Sequence, residues 1–131
     1  MKKTRIFLAC ADERLKIALL MLLDNDPNMV VAGVSDRLQG LLSQIVASQP
    51  DALIFALEES LPVTTSQVAD IHNLAHPPVI IYLSNKEEQK ESILAAGADY
   101  FVLANAPPDK LITILDDLSA TEIQKQNPNT I

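Results

Sequence analysis

The chain has 131 residues, with 17 Asp and Glu against 10 Lys and Arg, giving a formal charge of −7 and a pI near 4.6. One domain of this size buries roughly two-thirds of the surface of its unfolded chain, and 48% apolar with 21% charged residues exclude a disordered tail. The acidic balance excludes a dedicated nucleic-acid binder, and the longest apolar run, Ile17 to Leu23, is far short of the ~20 residues that cross a bilayer.

The first element is an apolar run, Arg5-Ile6-Phe7-Leu8-Ala9-Cys10, which predicts a strand. Asp12 is placed to cap the helix behind it, whose broad stripe is Leu15, Leu19, Leu22 and Leu23. Charged Asp12, Glu13 and Arg14 interrupt the N-terminal apolar stretch, so no secretory signal is expected. Met29 to Val34 predicts the second strand. A second helix follows, carrying Leu38, Leu41, Leu42, Ile45 and Val46, with Ser35 or Asp36 as its cap.

Ala52 to Leu57 predicts the third strand, and the third helix is expected from about Thr65 to Ala75, stopped by Pro77 and Pro78. Val79 to Leu83 predicts the fourth strand. Ser84 with Glu87 reads as a capping box opening a helix over Lys86 to Ala96, and Gly97 as its left-handed stop. Tyr100 to Ala104 predicts the fifth strand. Pro107 and Pro108 lead into a last helix carrying Leu111, Ile114, Leu115 and Leu118.

Most of these strands are continuously apolar, which a strand covered on both faces requires, so the sheet is expected to be parallel and the class α/β, doubly wound. The domain is expected over 1–119. Residues 120–131 are polar and read as a frayed helix end, a tail or the start of a linker. A single cysteine can form no internal disulfide and suits a cytoplasmic protein.

Five βα units with certain local sequences resemble the receiver domain of bacterial two-component response regulators over residues 4 to 118. The pieces that carry the resemblance are Gln49-Pro50-Asp51-Ala52-Leu53-Ile54 and Ala96-Gly97-Ala98-Asp99-Tyr100. Leu22 to Gly33, with Pro27, is similar to the DNA-binding regulator subfamily. The resemblance implies a flavodoxin-like (βα)5 three-layer sandwich with strand order 2-1-3-4-5. It also implies phosphoryl transfer to an aspartate ending the third strand. An acidic pair ending the first strand would hold Mg²⁺, assisted by a lysine ending the fifth and a Thr or Ser ending the fourth.

By that resemblance the phosphoacceptor position falls on Ala56, the acidic pair on Cys10 and Ala11, and the lysine on Ala104; the switch hydroxyl falls on Ser84 or Tyr82. Ala56 offers no atom to phosphorylate, Ala104 no charge, and a thiol is a soft ligand poorly suited to Mg²⁺. The chain therefore reads as a pseudo-receiver: no enzyme, no metal and no cofactor, acting through protein partners without phosphorylation. The alternatives are a receiver using a displaced carboxylate among Asp12, Glu13, Glu58 and Glu59, and a small-ligand-binding flavodoxin-like domain.

His72 and His76 lie four apart, but His76 precedes Pro77 and is expected beyond the helix, so they are not read as a metal pair. In receivers the fourth helix, fifth strand and fifth helix commonly pair two copies. Lys86, Glu87, Lys90, Glu91, Tyr100, Asp109, Lys110 and Asp116 are the matching candidates here, for a homodimer or another protein partner. An output domain beyond Ile131 is expected by the same resemblance.

Overall fold

A computed structural model describes residues 3–125, with side chains as far as Ser119. Its elements are β1 (Thr4–Cys10), α1 (Glu13–Asp24), β2 (Met29–Ser35), α2 (Leu41–Ser48), β3 (Ala52–Ala56) and α3 (Leu61–His72). There follow β4 (Val79–Ser84), a short 3-10 turn (Glu87–Gln89), α4 (Lys90–Ala96), β5 (Tyr100–Leu103) and α5 (Asp109–Lys125). The five strands are parallel, in the order β2-β1-β3-β4-β5.

The sheet divides the apolar side chains between two half-cores, because successive residues of a strand point to opposite faces. Ile6, Leu8, Cys10, Ile54, Ala56 and Leu83 pack with Leu19 and Leu23 of α1 and with Leu111 and Leu115 of α5. Phe7, Leu53, Phe55, Ile80 and Tyr82 pack on the other side, with α2, α3 and α4. All five residues of β3 are buried, as its central position demands.

Two acidic residues at the amino ends of strands act as staples. The Asp51 carboxylate accepts the Arg5 N–H at 2.8 Å, and the Asp51 N–H donates to the Arg5 carbonyl, locking β3 onto β1. Asp99 repeats the device on the far side, accepting the Ile80 N–H at 2.8 Å while its own N–H donates back to the Ile80 carbonyl. On β1 the Thr4 hydroxyl meets that of Ser119 at 2.6 Å, tying α5 to the sheet. The β1–β2 register slips between Ile6 and Phe7, so that Phe7 pairs with Gly33. Gly33 is needed there, since a Cβ would lie 2.6 Å from the Phe7 ring.

Several helix boundaries correct the sequence reading. Neither Ser35 nor Asp36 caps α2; Ser35 Oγ closes a turn with Arg37, and the helix starts after Gly40, whose φ is 78°. Helix α3 begins at Leu61, with Pro62 in its first turn where a missing N–H is harmless, and ends at His72, well before Pro77. The Ser84–Glu87 capping box does not form. Ser84 Oγ instead accepts the Lys86 N–H at 3.0 Å, and the 3-10 turn delays α4 to Lys90. Asp12 does cap α1, accepting the Leu15 N–H at 3.0 Å, and Gly97 does end α4 at positive φ.

The polar segment from 120 continues α5 as helical backbone through Lys125. The remainder of the predicted tail, 126–131, lies outside the described residues.

Candidate functional site

The carboxyl ends of β1, β3, β4 and β5 meet at a crevice of about 370 Å³. Open parallel α/β sheets bind ligands at this end, because the loops diverge there. Cys10 and Ala56 are register partners at the ends of β1 and β3, and the Ala104 N–H donates to the Ser84 carbonyl at 3.1 Å. Ala11, Ala56, Tyr82, Ser84 and Ala104 all line the crevice. Five of the six positions named by the resemblance thus share one cavity, and Cys10 lies buried directly behind it.

The methyl groups of Ala11, Ala56 and Ala104 line the crevice together with the polar side chains of Asp12, Glu58, Glu59, Ser84, Asn85, Lys86 and Gln89. Cys10 is fully buried, and its thiol points to the Asp12 carbonyl at 3.4 Å. Burial pushes the thiol pKa up, and the neighbouring Asp12 charge adds to the rise against the opposing hydrogen bond to the Asp12 backbone. A neutral, buried thiol is neither a reactive nucleophile nor a Mg²⁺ ligand.

Asp12 faces the crevice, but one of its oxygens is engaged in capping α1. Glu58 and Glu59 stand on the exposed loop after β3. Among the described residues, no three His, Cys, Asp or Glu side chains converge as a metal site. The residues present do not fit Mg²⁺, whose octahedral demand calls for hard oxygen donors held close together.

The two candidates for the switch hydroxyl differ sharply in environment. The Ser84 hydroxyl stands at the half-buried end of β4. The Tyr82 ring is buried between Phe55 and Phe101, at centroid distances of 5.4 and 5.8 Å. Burial pushes the Tyr82 phenol up; Glu58 adds to this and the neighbouring Thr64 hydroxyl opposes it. Thr64 Oγ1 is buried beside the phenol without a partner of full hydrogen-bond geometry.

Because burial favours the neutral Cys10 and Tyr82, their contribution to stability is complete below their unfolded pKa values, about 8.5 and 10. That contribution is lost as pH rises through the higher native values. Native Cys10 is accordingly expected to alkylate at least about a hundredfold more slowly than the same thiol in urea, measured by iodoacetamide labelling at mildly alkaline pH. Equal rates in the two states would contradict the buried placement.

Other predicted residues are dispersed. Lys86 is not part of α4 but sits on the crevice wall with Asn85 and Gln89. The Asn85 side chain accepts the Asn105 N–H at 3.0 Å, joining the loops after β4 and β5. Sequence reading missed this link, and an asparagine in each loop is its only trace. Glu87 lies in the 3-10 turn, Lys90 and Glu91 on α4, Tyr100 on β5, and Asp109, Lys110 and Asp116 on α5, all exposed. His72 ends α3 and His76 lies beyond it, so the two share no helix face. No helix among the described residues is long and apolar enough to cross a membrane.

No protein-family model matches the chain, and no curated protein sequence matches it. Solved structures do. The signal receiver domain of the putative response regulator NarL from Mycobacterium tuberculosis superposes with a TM-score of 0.80 at 16% identity, covering 92% of this chain and 98% of that one. The receiver domain of sensor histidine kinase PA1611 from Pseudomonas aeruginosa, which holds a magnesium ion in its active-site cleft, gives 0.72 at 17% identity, covering 90% and 98%. A LuxR-family DNA-binding response regulator from Staphylococcus aureus gives 0.73 at 14% identity, covering 88% and 98%. These likenesses establish the fold of the chain as that of response-regulator receiver domains.

Proposed function

We propose that this receiver fold serves as a phosphorylation-independent signalling module of the two-component type: a cytoplasmic pseudo-receiver, not an enzyme, acting by protein–protein interaction. The observation that carries the reading is the pairing of Cys10 with Ala56 at the crevice, a buried thiol beside a methyl group where phosphoryl transfer needs carboxylates. The magnesium in the PA1611 cleft marks what a loaded receiver crevice holds. The donor set here does not match that cation.

The exposed face of α4, β5 and α5 is assigned to partner docking. Lys90 and Glu91 on α4, Tyr100 on β5, and Asp109, Lys110 and Asp116 on α5 are exposed and of mixed charge. A second copy is a partner that fits such mixed charge, through ion pairs that salt screens. An output domain joined beyond the polar segment, as the DNA-binding neighbour suggests, would be a covalent partner.

Incubation with Mg²⁺ and a small phosphodonor, read by intact mass, is expected to leave the protein unmodified. A stoichiometric phosphoryl adduct on Glu58, Glu59 or Asp12 would overturn the proposal in favour of a displaced acceptor. A small molecule co-purifying in the crevice would favour a ligand-binding domain instead.

A further inference from the structure

The polar groups around the crevice are sorted by strand. Asp12 follows β1, and Glu58 and Glu59 follow β3, so the carboxylates of the cavity all enter beside those two neighbouring strands. Ser84, Lys86 and Gln89 enter instead from the end of β4 and the 3-10 turn behind it. The Ser84 oxygen accepts the Lys86 N–H, which leaves its own O–H to donate, and Lys86 and Gln89 carry N–H donors. Because β3 lies between β1 and β4, the acceptor-only groups enter on one side of the cavity and these donors on the other.

The two sides do not neutralise each other. Among the described residues the ion pairs join Lys16 to Glu13 and Arg37 to Asp36, and no carboxylate oxygen comes within 4.0 Å of the Lys86 ammonium. A buried group adds an independent sign of an unfilled site. Tyr82 lines the cavity although only 3% exposed, and the Glu58 charge acts on its phenol. Beside that phenol the Thr64 Oγ1, in a residue 1% exposed, has no hydrogen-bond partner. A buried hydroxyl in that condition is unfavourable until a polar group is brought to it.

We infer that the crevice is a binding site for a small zwitterion of the amino-acid class, its ammonium held by Asp12, Glu58 and Glu59 and its carboxylate by Lys86 and Ser84. The cavity volume of about 370 Å³ falls within the range of small-molecule sites, about 300–1,000 Å³. The methyl groups of Ala11, Ala56 and Ala104 line the same space and suit the aliphatic part of such a guest. A phosphate would meet three carboxylates against one ammonium, and a simple cation would leave Lys86 without a counter-charge. On the reading proposed above, on which this inference rests, the crevice performs no phosphoryl transfer and is open to an input of another kind. Glu58, Glu59 and Lys86 are exposed, so the guest exchanges freely and is not carried through purification.

The test is a titration of the full chain, labelled with nitrogen-15, with glycine, β-alanine, γ-aminobutyrate and δ-aminovalerate, followed through its amide chemical shifts. At least one member is expected to shift the amides of Ala56, Ser84 and Ala104 saturably. The alkylamine and the carboxylate of matching length carry one charge each and are expected to bind at least about tenfold more weakly. Lys86→Gln, and Glu58→Gln combined with Glu59→Gln, are each expected to weaken binding about tenfold with an unchanged far-UV circular dichroism spectrum. No saturable shift with any member, equal binding of the singly charged compounds, or parent-like binding by Lys86→Gln would overturn the inference. A phosphoryl adduct in the phosphodonor experiment overturns the proposed function, whereas absent zwitterion binding overturns this inference alone.

Discussion

Phe55→Ala is expected to lower the unfolding free energy by about 3–5 kcal/mol, the range for deleting a fully buried aromatic ring. Phe55 has no exposed surface, sits in the central strand, and stacks on Tyr82, which in turn stacks on Phe101. Truncation opens a void inside a row of three rings, where the backbone is pinned by β1 on one side and β4 on the other. Collapse around the void is therefore limited. The test is a urea titration, in which the midpoint should fall while the slope stays near that of the parent. Phe101→Ala should cost clearly less, because that ring is only half-buried on the edge strand. The crevice feels the change too: Tyr82, left without one neighbour, lies one residue from Leu83 and lines the same wall as Ala56.

A second large effect is expected at Gly97. Its φ is 127°, where side chains are strained, and a Cβ there would lie 2.6 Å from His72 Cγ and 2.7 Å from His72 Cβ. Gly97→Ala is expected to cost about 2–4 kcal/mol, combining backbone strain with forced separation of α3 from α4. Thermal unfolding should show a fall in Tm on the order of 10 °C. Trimming the imidazole with His72→Ala should recover only part of this, because the His72 Cβ remains in the way. Full recovery would mean that the ring alone is the obstacle and that the backbone of Gly97 is unstrained.

The residues that carried the resemblance and the residues of the crevice serve different ends. Asp51 and Asp99 staple strands together at the amino edge of the sheet, so they are required by the fold whatever happens at the opposite edge. The proposed loss of phosphoryl transfer concerns the opposite, carboxyl edge, where Cys10, Ala56 and Ala104 stand. The strand staples thus do not depend on which side chains end the strands at the crevice.

The parallel α/β class, the placing of the five strands, the Asp12 cap and the turn at Gly97 were legible in the sequence because each is a local matter. They depend on a run of apolar residues, a side chain reaching its own helix start, or a backbone angle that glycine alone adopts freely. That Ala56, Ala104 and Ser84 would stand at strand ends was implied by the receiver resemblance, and the parallel strands bring those ends to one crevice. Tertiary structure alone decided the rest. The early start of α3 at Leu61, the late start of α4 after a 3-10 turn, and the placing of Lys86 on the crevice wall depend on how loops close against neighbouring elements. So does the exposure of Ile17 and Met21: periodicity marks α1 as apolar on a broad front, but only the packed sheet and α5 fix which part of that front is covered. Burial is a property of pairs of surfaces, and a sequence presents those surfaces one at a time.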